Sequence, residues 1–291
     1  MPLADVAGHK LYYEIHPARE PVEDLPPVVL VMGTGGRCAG WLPFQVPALS
    51  AHRDVVIYDH RGVGESTDPG TPFTTADLGR DLVALLDALS LERVDAVGHF
   101  LGAMTIQEAA IRAPERFRRL GLIGCWAAPD AKRRMLLAEW AALARGGASA
   151  ETMIRHRMLW TFSDEALAQV DELVLPNIGY LDDGQTPLTG ELFARQCEAA
   201  AGHDTRGRLA GLPHHALLLC GRRDLLTPSK FGREIAEEMP NARDLTLSYS
   251  GHAVTAERPE RLNDVILHFL GDVSYDEGFH QLRRERGPRP A

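Results

Sequence analysis

No apolar run in the 291 residues approaches the roughly 18 needed to cross a bilayer. The stretch from Met1 to Glu14 shows no basic segment followed by an apolar core and a small-residue cleavage site. These absences lead us to expect a soluble, cytoplasmic protein with no membrane partner. Cysteine is scarce as well: Cys38, Cys125, Cys197 and Cys220 are widely spaced with no Cys-X-X-Cys pair. That pattern argues against a zinc site or a disulfide framework and for reduced, mostly buried thiols. No His-Glu-X-X-His stretch supplies another metal constellation, so no metal is expected. Lysine occurs only at Lys10, Lys132 and Lys230, which leaves arginine to carry the positive charge, and acidic residues outnumber both to give a net charge of -9. With a pI near 5.7 there is no basic field to attract a phosphate backbone, and nucleic acid is not expected as a partner.

What is present is ordinary globular composition, 45% hydrophobic and 24% charged, in a chain long enough for one large α/β domain with an inserted segment. Short β-rich runs at Lys10 to His16, Pro27 to Met32 and Asp54 to Asp59 are bounded by turn signals. Between Thr74 and Leu89, Leu78, Leu82, Leu85, Leu86 and Leu89 recur at helical spacing behind a Thr74 or Thr75 cap. Val94 to Val97 is then extended, Leu101 to Ala113 helical and Leu120 to Gly124 extended again. This alternation predicts a mostly parallel central sheet flanked by helices.

The alternation stops at about Trp126, and an Ala-rich, mostly helical stretch runs to Leu212; it resumes with a strand at Ala216 to Cys220. A helix over Lys230 to Met239, an extended Leu245 to Leu247 and a helix over Arg258 to Leu270 complete the pattern. We therefore expect an α/β core over 1–125 and 213–271, a helical cap over 126–212, and a solvated polar tail over 272–291. The sequence leaves open whether two copies pair as a homodimer.

The sharpest local signal is Val97-Gly98-His99-Phe100-Leu101-Gly102-Ala103, set between a strand and a helix. A nucleophile elbow belongs there, but its expected form is Gly-X-Ser-X-Gly. The tiny residues that so sharp a bend requires are kept in Gly98, Gly102 and Ala103, while the apex hydroxyl is replaced by the ring of Phe100.

Several motifs in order resemble the α/β-hydrolase superfamily over roughly Lys10 to Gly271, with the enol-lactonase, meta-cleavage hydrolase and iminopeptidase-like branch looking most similar. Met32-Gly33-Thr34-Gly35-Gly36 resembles the family's His-Gly-X-X-Gly loop, with Met32 in place of His. The resemblance implies that the Thr34 and Leu101 backbone N–H groups form an oxyanion hole. Asp59-His60-Arg61-Gly62-Val63-Gly64-Glu65-Ser66 resembles a turn that is a structural signature of the superfamily. Gly221-Arg222-Arg223-Asp224 resembles the loop of the triad acid, and Gly251-His252 that of the triad histidine, in the family order. By that resemblance Asp224 orients His252 and stabilises its imidazolium, and His252 exchanges a proton near neutral pH.

Blander readings compete with these. The Gly33 and Gly35 loop has Cys38 where a dinucleotide fingerprint needs its third Gly, and no Gly-Lys-Ser/Thr occurs. His99 is read as a packing or hydrogen-bonding neighbour of the apex. Cys38 lies near the oxyanion loop and is either an alternative nucleophile or a bystander thiol. Phe100, Trp126 and Trp160 are the expected substrate-binding residues, and Trp140, Met135, Met153 and Met158 either join them or pack cap helices together.

Loss of the nucleophile typically costs a serine hydrolase about a millionfold in kcat, roughly 8 kcal/mol. The expectation is therefore that His252 and Asp224 run non-hydrolytic acid/base chemistry, of lyase, isomerase or cyclase type, on an apolar or aromatic carbonyl compound. That chemistry needs no cofactor. Hydrolysis of a reactive ester or lactone by His-activated water is the alternative, as is a non-catalytic binding protein. An engineered or misread Phe100 in an ordinary serine hydrolase is the remaining one.

Overall fold

The computed structural model describes residues 2–6, 8–169 and 189–272. Eight strands form one sheet in the order β1-β2-β4-β3-β5-β6-β7-β8. They are β1 (Leu3–Val6), β2 (His9–His16), β3 (Val28–Val31), β4 (Val55–Tyr58), β5 (Val94–His99), β6 (Phe117–Ile123), β7 (His215–Gly221) and β8 (Ala242–Leu247). β1 and β2 pair antiparallel and β2 meets β4 antiparallel, while all pairings from β4 to β8 are parallel. The expected mostly parallel sheet flanked by helices is therefore the fold.

The sequence of the central strands explains their position. β3 reads Val-Val-Leu-Val and β4 Val-Val-Ile-Tyr, apolar throughout and buried at every residue, as strands covered on both faces must be. Alternate residues divide between the two faces. Val29, Val31, Val56 and Tyr58 join one core with α2 (Thr75–Ala88) and α3 (Leu101–Arg112). Val28, Leu30, Val55 and Ile57 join the other, with α1 (Gln45–Leu49) and a C-terminal helix over Pro259–Leu270. Thr74 proves to be the cap of α2: it accepts from the Asp77 N–H while the Asp77 side chain accepts from Thr74, a reciprocal capping box.

Between β6 and β7 the chain leaves the sheet for α4 (Ala131–Arg145), α5 (Ala150–Thr161), α6 (Asp164–Leu167) and α7 (Gly190–Ala201). Arg145 ties α4 to α7 through Glu191 at 2.8 Å and Glu198 at 2.5 Å. Residues 170–188 of the expected cap lie outside the described residues. After β7 come α8 (Lys230–Glu238), β8, α9 (Val254–Glu257) and α10 (Pro259–Leu270). Gly271 ends α10 in the left-handed region at φ 84°. Asp272, expected in the tail, is tied back to Arg53 by two hydrogen bonds of 2.5 and 2.9 Å. The rest of the expected tail, 273–291, lies outside the described residues. Among the described residues no helix is long and apolar enough to cross a membrane, and all four cysteines are free and buried.

Candidate active site

Loops that follow β3, β5, β7 and β8 converge beneath α5 around a cavity of about 490 Å³, which lies within the range of small-molecule sites. Its floor carries Thr34, Phe100 and His252, and its roof Trp140, Arg157 and Met158.

The turn from β5 into α3 is as sharp as its glycines predict. Phe100 at its apex has φ 50° and ψ -108°, a region that a bulky residue occupies only at a cost of about 1–3 kcal/mol. The turn has not relaxed around the aromatic ring. A Cβ on Gly98 would come within 2.6 Å of the Gly102 backbone, and one on Gly102 within 2.0 Å of the Val31 carbonyl oxygen. The Phe100 N–H donates to the Ile123 carbonyl at 2.9 Å, which pins the apex to β6.

Thr34 stands beside this turn: a Cβ on neighbouring Gly33 would lie 3.3 Å from Phe100 Cβ. Neither the Thr34 nor the Leu101 N–H has a hydrogen-bond partner among the described residues, and Leu101 opens α3, whose first amides are free by construction. The loop is fixed from three sides. His60 Nε2 lies 3.0 Å from the Met32 carbonyl oxygen, and because a carbonyl only accepts, that nitrogen carries the proton. The Gly35 N–H donates to Gln196 of α7 at 2.7 Å, and Arg157 of α5 donates to the Thr34 carbonyl at 2.7 Å.

His252 Nδ1 lies 2.9 Å from Asp224 Oδ2 and 2.9 Å from Thr227 Oγ. The Thr227 hydroxyl donates to the same Oδ2 at 2.6 Å and its N–H to Oδ1 at 2.6 Å. With the threonine proton committed to the carboxylate, Nδ1 carries the imidazole proton and donates it as well. The Nε2 lone pair is then the free face of the imidazole. Burial opposes charge on Asp224, yet the facing His252 and the hydrogen bonds from His252 and Thr227 hold its carboxyl below the ordinary range. Phe100 meets the His252 ring edge to face, centroids 5.2 Å apart. The His252 loop is anchored by Gly251 N–H to Glu257 at 2.9 Å and by Ala253 N–H to the Thr161 carbonyl at 2.8 Å, the latter at the end of α5.

Not every expected residue lines the cavity. Trp126 is completely buried behind Phe100, edge to face at 5.1 Å, and donates to the Ala200 carbonyl, so it supports the ring instead of meeting a ligand. Trp160 is not among the residues that line the cavity; it packs against the core, and Lys132 lies 5.0 Å from its ring centre. Trp140 and Met158 take the roof positions; Met153 is buried in the core, and Met135 is exposed on α4. His99 Nε2 donates to the His252 carbonyl at 3.1 Å, and burial and the nearby His252 push its pKa down to about 3, which suits a neutral packing residue. The Cys38 thiol is buried, and burial beside Asp59 pushes its pKa far up, so it does not serve as a thiolate.

Thr227, Gln196, Glu257 and Arg157 escaped the sequence reading. Thr227 had a signal, since a hydroxyl three residues after a buried Asp makes a local hydrogen-bonded turn. The other three are brought in by chain segments remote in sequence.

These features define an α/β enzyme-like scaffold with a helix-roofed cavity at the C-terminal ends of its strands. The family model for the alpha/beta hydrolase fold matches residues 26–259, and the chain belongs to that family. A relative named carbamate hydrolase RutD, from Azorhizobium caulinodans, is 30% identical over 286 residues, covering 94% of this chain and 99% of its own length. The solved enol-lactonase of Burkholderia xenovorans superposes with a TM-score of 0.83 at 28% identity, covering 93% of this chain and all of that one. The meta-cleavage product hydrolase of Pseudomonas fluorescens shares the fold, with a TM-score of 0.77 at 21% identity, over 94% of this chain and 98% of its own.

Proposed function

We propose that this chain is a hydrolase without a protein nucleophile, in which His252, oriented by Asp224 and Thr227, draws a proton from water as that water attacks an ester, lactone or carbamate-type carbonyl. The Thr34 and Leu101 N–H groups receive the developing oxyanion. Phe100 takes the nucleophile's place on the turn and supplies an apolar wall. The observation that carries the reading is the His252–Asp224–Thr227 arrangement, which leaves the Nε2 lone pair unengaged at a cavity that Thr34 and Phe100 also line. The names of the relatives support hydrolysis over the lyase, isomerase or cyclase chemistry expected from the missing hydroxyl.

Single turnover in heavy-oxygen water tests it. One labelled oxygen enters the acid product, no covalent mass appears on the protein, and His252→Ala slows the reaction by about a hundredfold or more. A transient acyl adduct, or turnover left unchanged by His252→Ala, contradicts it.

The Phe100 ring itself favours a second reading. It is only 3% exposed, meets His252 edge to face, and puts hydrocarbon where an attacking oxygen would stand. Such a wall suits proton transfer beside a carbonyl, with the amides holding an enolate. Solvent deuterium incorporated at carbon, with no oxygen label, distinguishes this chemistry from hydrolysis.

A further inference from the structure

The charged groups around the cavity fall into two kinds. Glu257 accepts hydrogen bonds from Ser163 and from the Gly251 N–H, Glu165 pairs with Arg223, and Arg258 is exposed at the mouth, where water solvates it. Arg157 differs from all of these. It reaches inward from α5, stacks over the Phe193 ring at 5.0 Å, and spends one donor on the Thr34 carbonyl at 2.7 Å. Its Nε is sealed from solvent without a hydrogen-bond partner. No carboxylate pairs with its guanidinium among the described residues. Burial accordingly pulls its pKa down, and its charge is felt at His99 beside the apex.

A cation held in a partly closed cavity with no counter-ion among the described residues is costly, because lost hydration is not replaced. The backbone accommodates it all the same. Gly35, at φ 73°, leaves the guanidinium a seat that any Cβ would occupy, since a Cβ there would fall 2.6 Å from Nη1. The planar fork, with donors left over, matches a carboxylate better than any neutral group.

We propose that Arg157 is the anchor for a carboxylate on the substrate, so that this cavity takes carbonyl compounds bearing a carboxylate a few bonds from the reacting carbon. This rests on the cavity being the substrate site, as proposed above. The spacing follows from the contact with Thr34: the residue whose carbonyl receives Arg157 is the residue whose N–H faces the oxyanion. A carboxylate on the guanidinium thereby sets the neighbouring carbonyl over Thr34 and Leu101.

The test is binding, which needs no turnover and so survives failure of the hydrolytic reading. Phenylacetate and its uncharged analogue phenylacetamide are titrated into the full-length protein by calorimetry. Phenylacetate should bind saturably and at least about tenfold more tightly than the amide, and Arg157→Met should remove that preference. Should that variant fail to fold, Arg157→Lys decides, with a weakened but surviving preference for the acid. Equal binding of acid and amide by the parent, or an unchanged preference in Arg157→Met, overturns the proposal.

Discussion

The turn around Phe100 and the group around His252 stand ring to ring at 5.2 Å, yet different forces hold them. The turn is kept by close packing: Gly98 and Gly102 admit no Cβ, and the apex sits at φ 50° with a bulky ring on it. The His252 group is kept by directional hydrogen bonds among Asp224, Thr227 and the imidazole, each partner chosen for its chemistry. Packing conserves a shape and is indifferent to the apex hydroxyl, whereas hydrogen bonding conserves function group by group. The turn accordingly keeps a sharp form around a ring that carries no hydroxyl, while the His252 group keeps its hydrogen-bonded geometry.

The largest effect that sharpens this contrast comes from returning a hydroxyl to the unchanged turn. Phe100→Ser should acquire labelling by a serine-directed fluorophosphonate that the parent lacks, with ester hydrolysis rising by several orders of magnitude, as about a millionfold separates triads with and without their serine. Unlabelled Phe100→Ser would break the claim that the form survives. On the other side, His252→Ala should lower turnover by about a hundred- to ten-thousandfold with little change in melting temperature. The packing side answers to Gly102→Ala, which drives a Cβ against the Val31 carbonyl and should cost about 3 kcal/mol in chemical denaturation. Thr227→Val should be milder, about 1 kcal/mol and roughly tenfold in kcat with KM unaffected, since Asp224 still meets His252 directly.

Acid should separate the two regions as well. Burial pushes His60 down to about 4, and His99 and His203 down to about 3, all below the ordinary 6.5. The unfolded chain therefore binds protons that the folded chain refuses, so this stability is complete above pH 6.5 and drains away as pH falls toward 3. Asp224 has a depressed pKa from an ordinary 3.8, so its contribution fades only below that value. A melting series from pH 7 to 4 should show a steady decline, reduced in His99→Gln; a flat series contradicts the assignment.

How much was legible in the sequence follows the same division. β-rich runs bounded by turn signals located β2 to β8, most clearly β3 and β4, because a strand covered on both faces must be apolar along its length, while β1 (Leu3–Val6), half exposed, was missed. Gly98, Gly102, Asp224 and His252 were readable because their motifs are local. Trp126 and Trp160 were misplaced since an aromatic residue reads identically whether it lines a cavity or backs the wall behind it. Arg157 and Gln196 were invisible because only the docking of α5 and α7 on the Met32–Gly36 loop gives them partners.

The central claim, that His252 and Asp224 hydrolyse with water in place of a side-chain nucleophile, is met most directly by one panel of chromogenic esters and lactones given to the protein as it stands and to Phe100→Ser. Measurable hydrolysis by the unchanged protein, insensitive to fluorophosphonate, with faster hydrolysis by the variant, is the expected result. Activity in Phe100→Ser alone, with the unchanged protein inert on every compound, would contradict it and move the native chemistry to proton transfer.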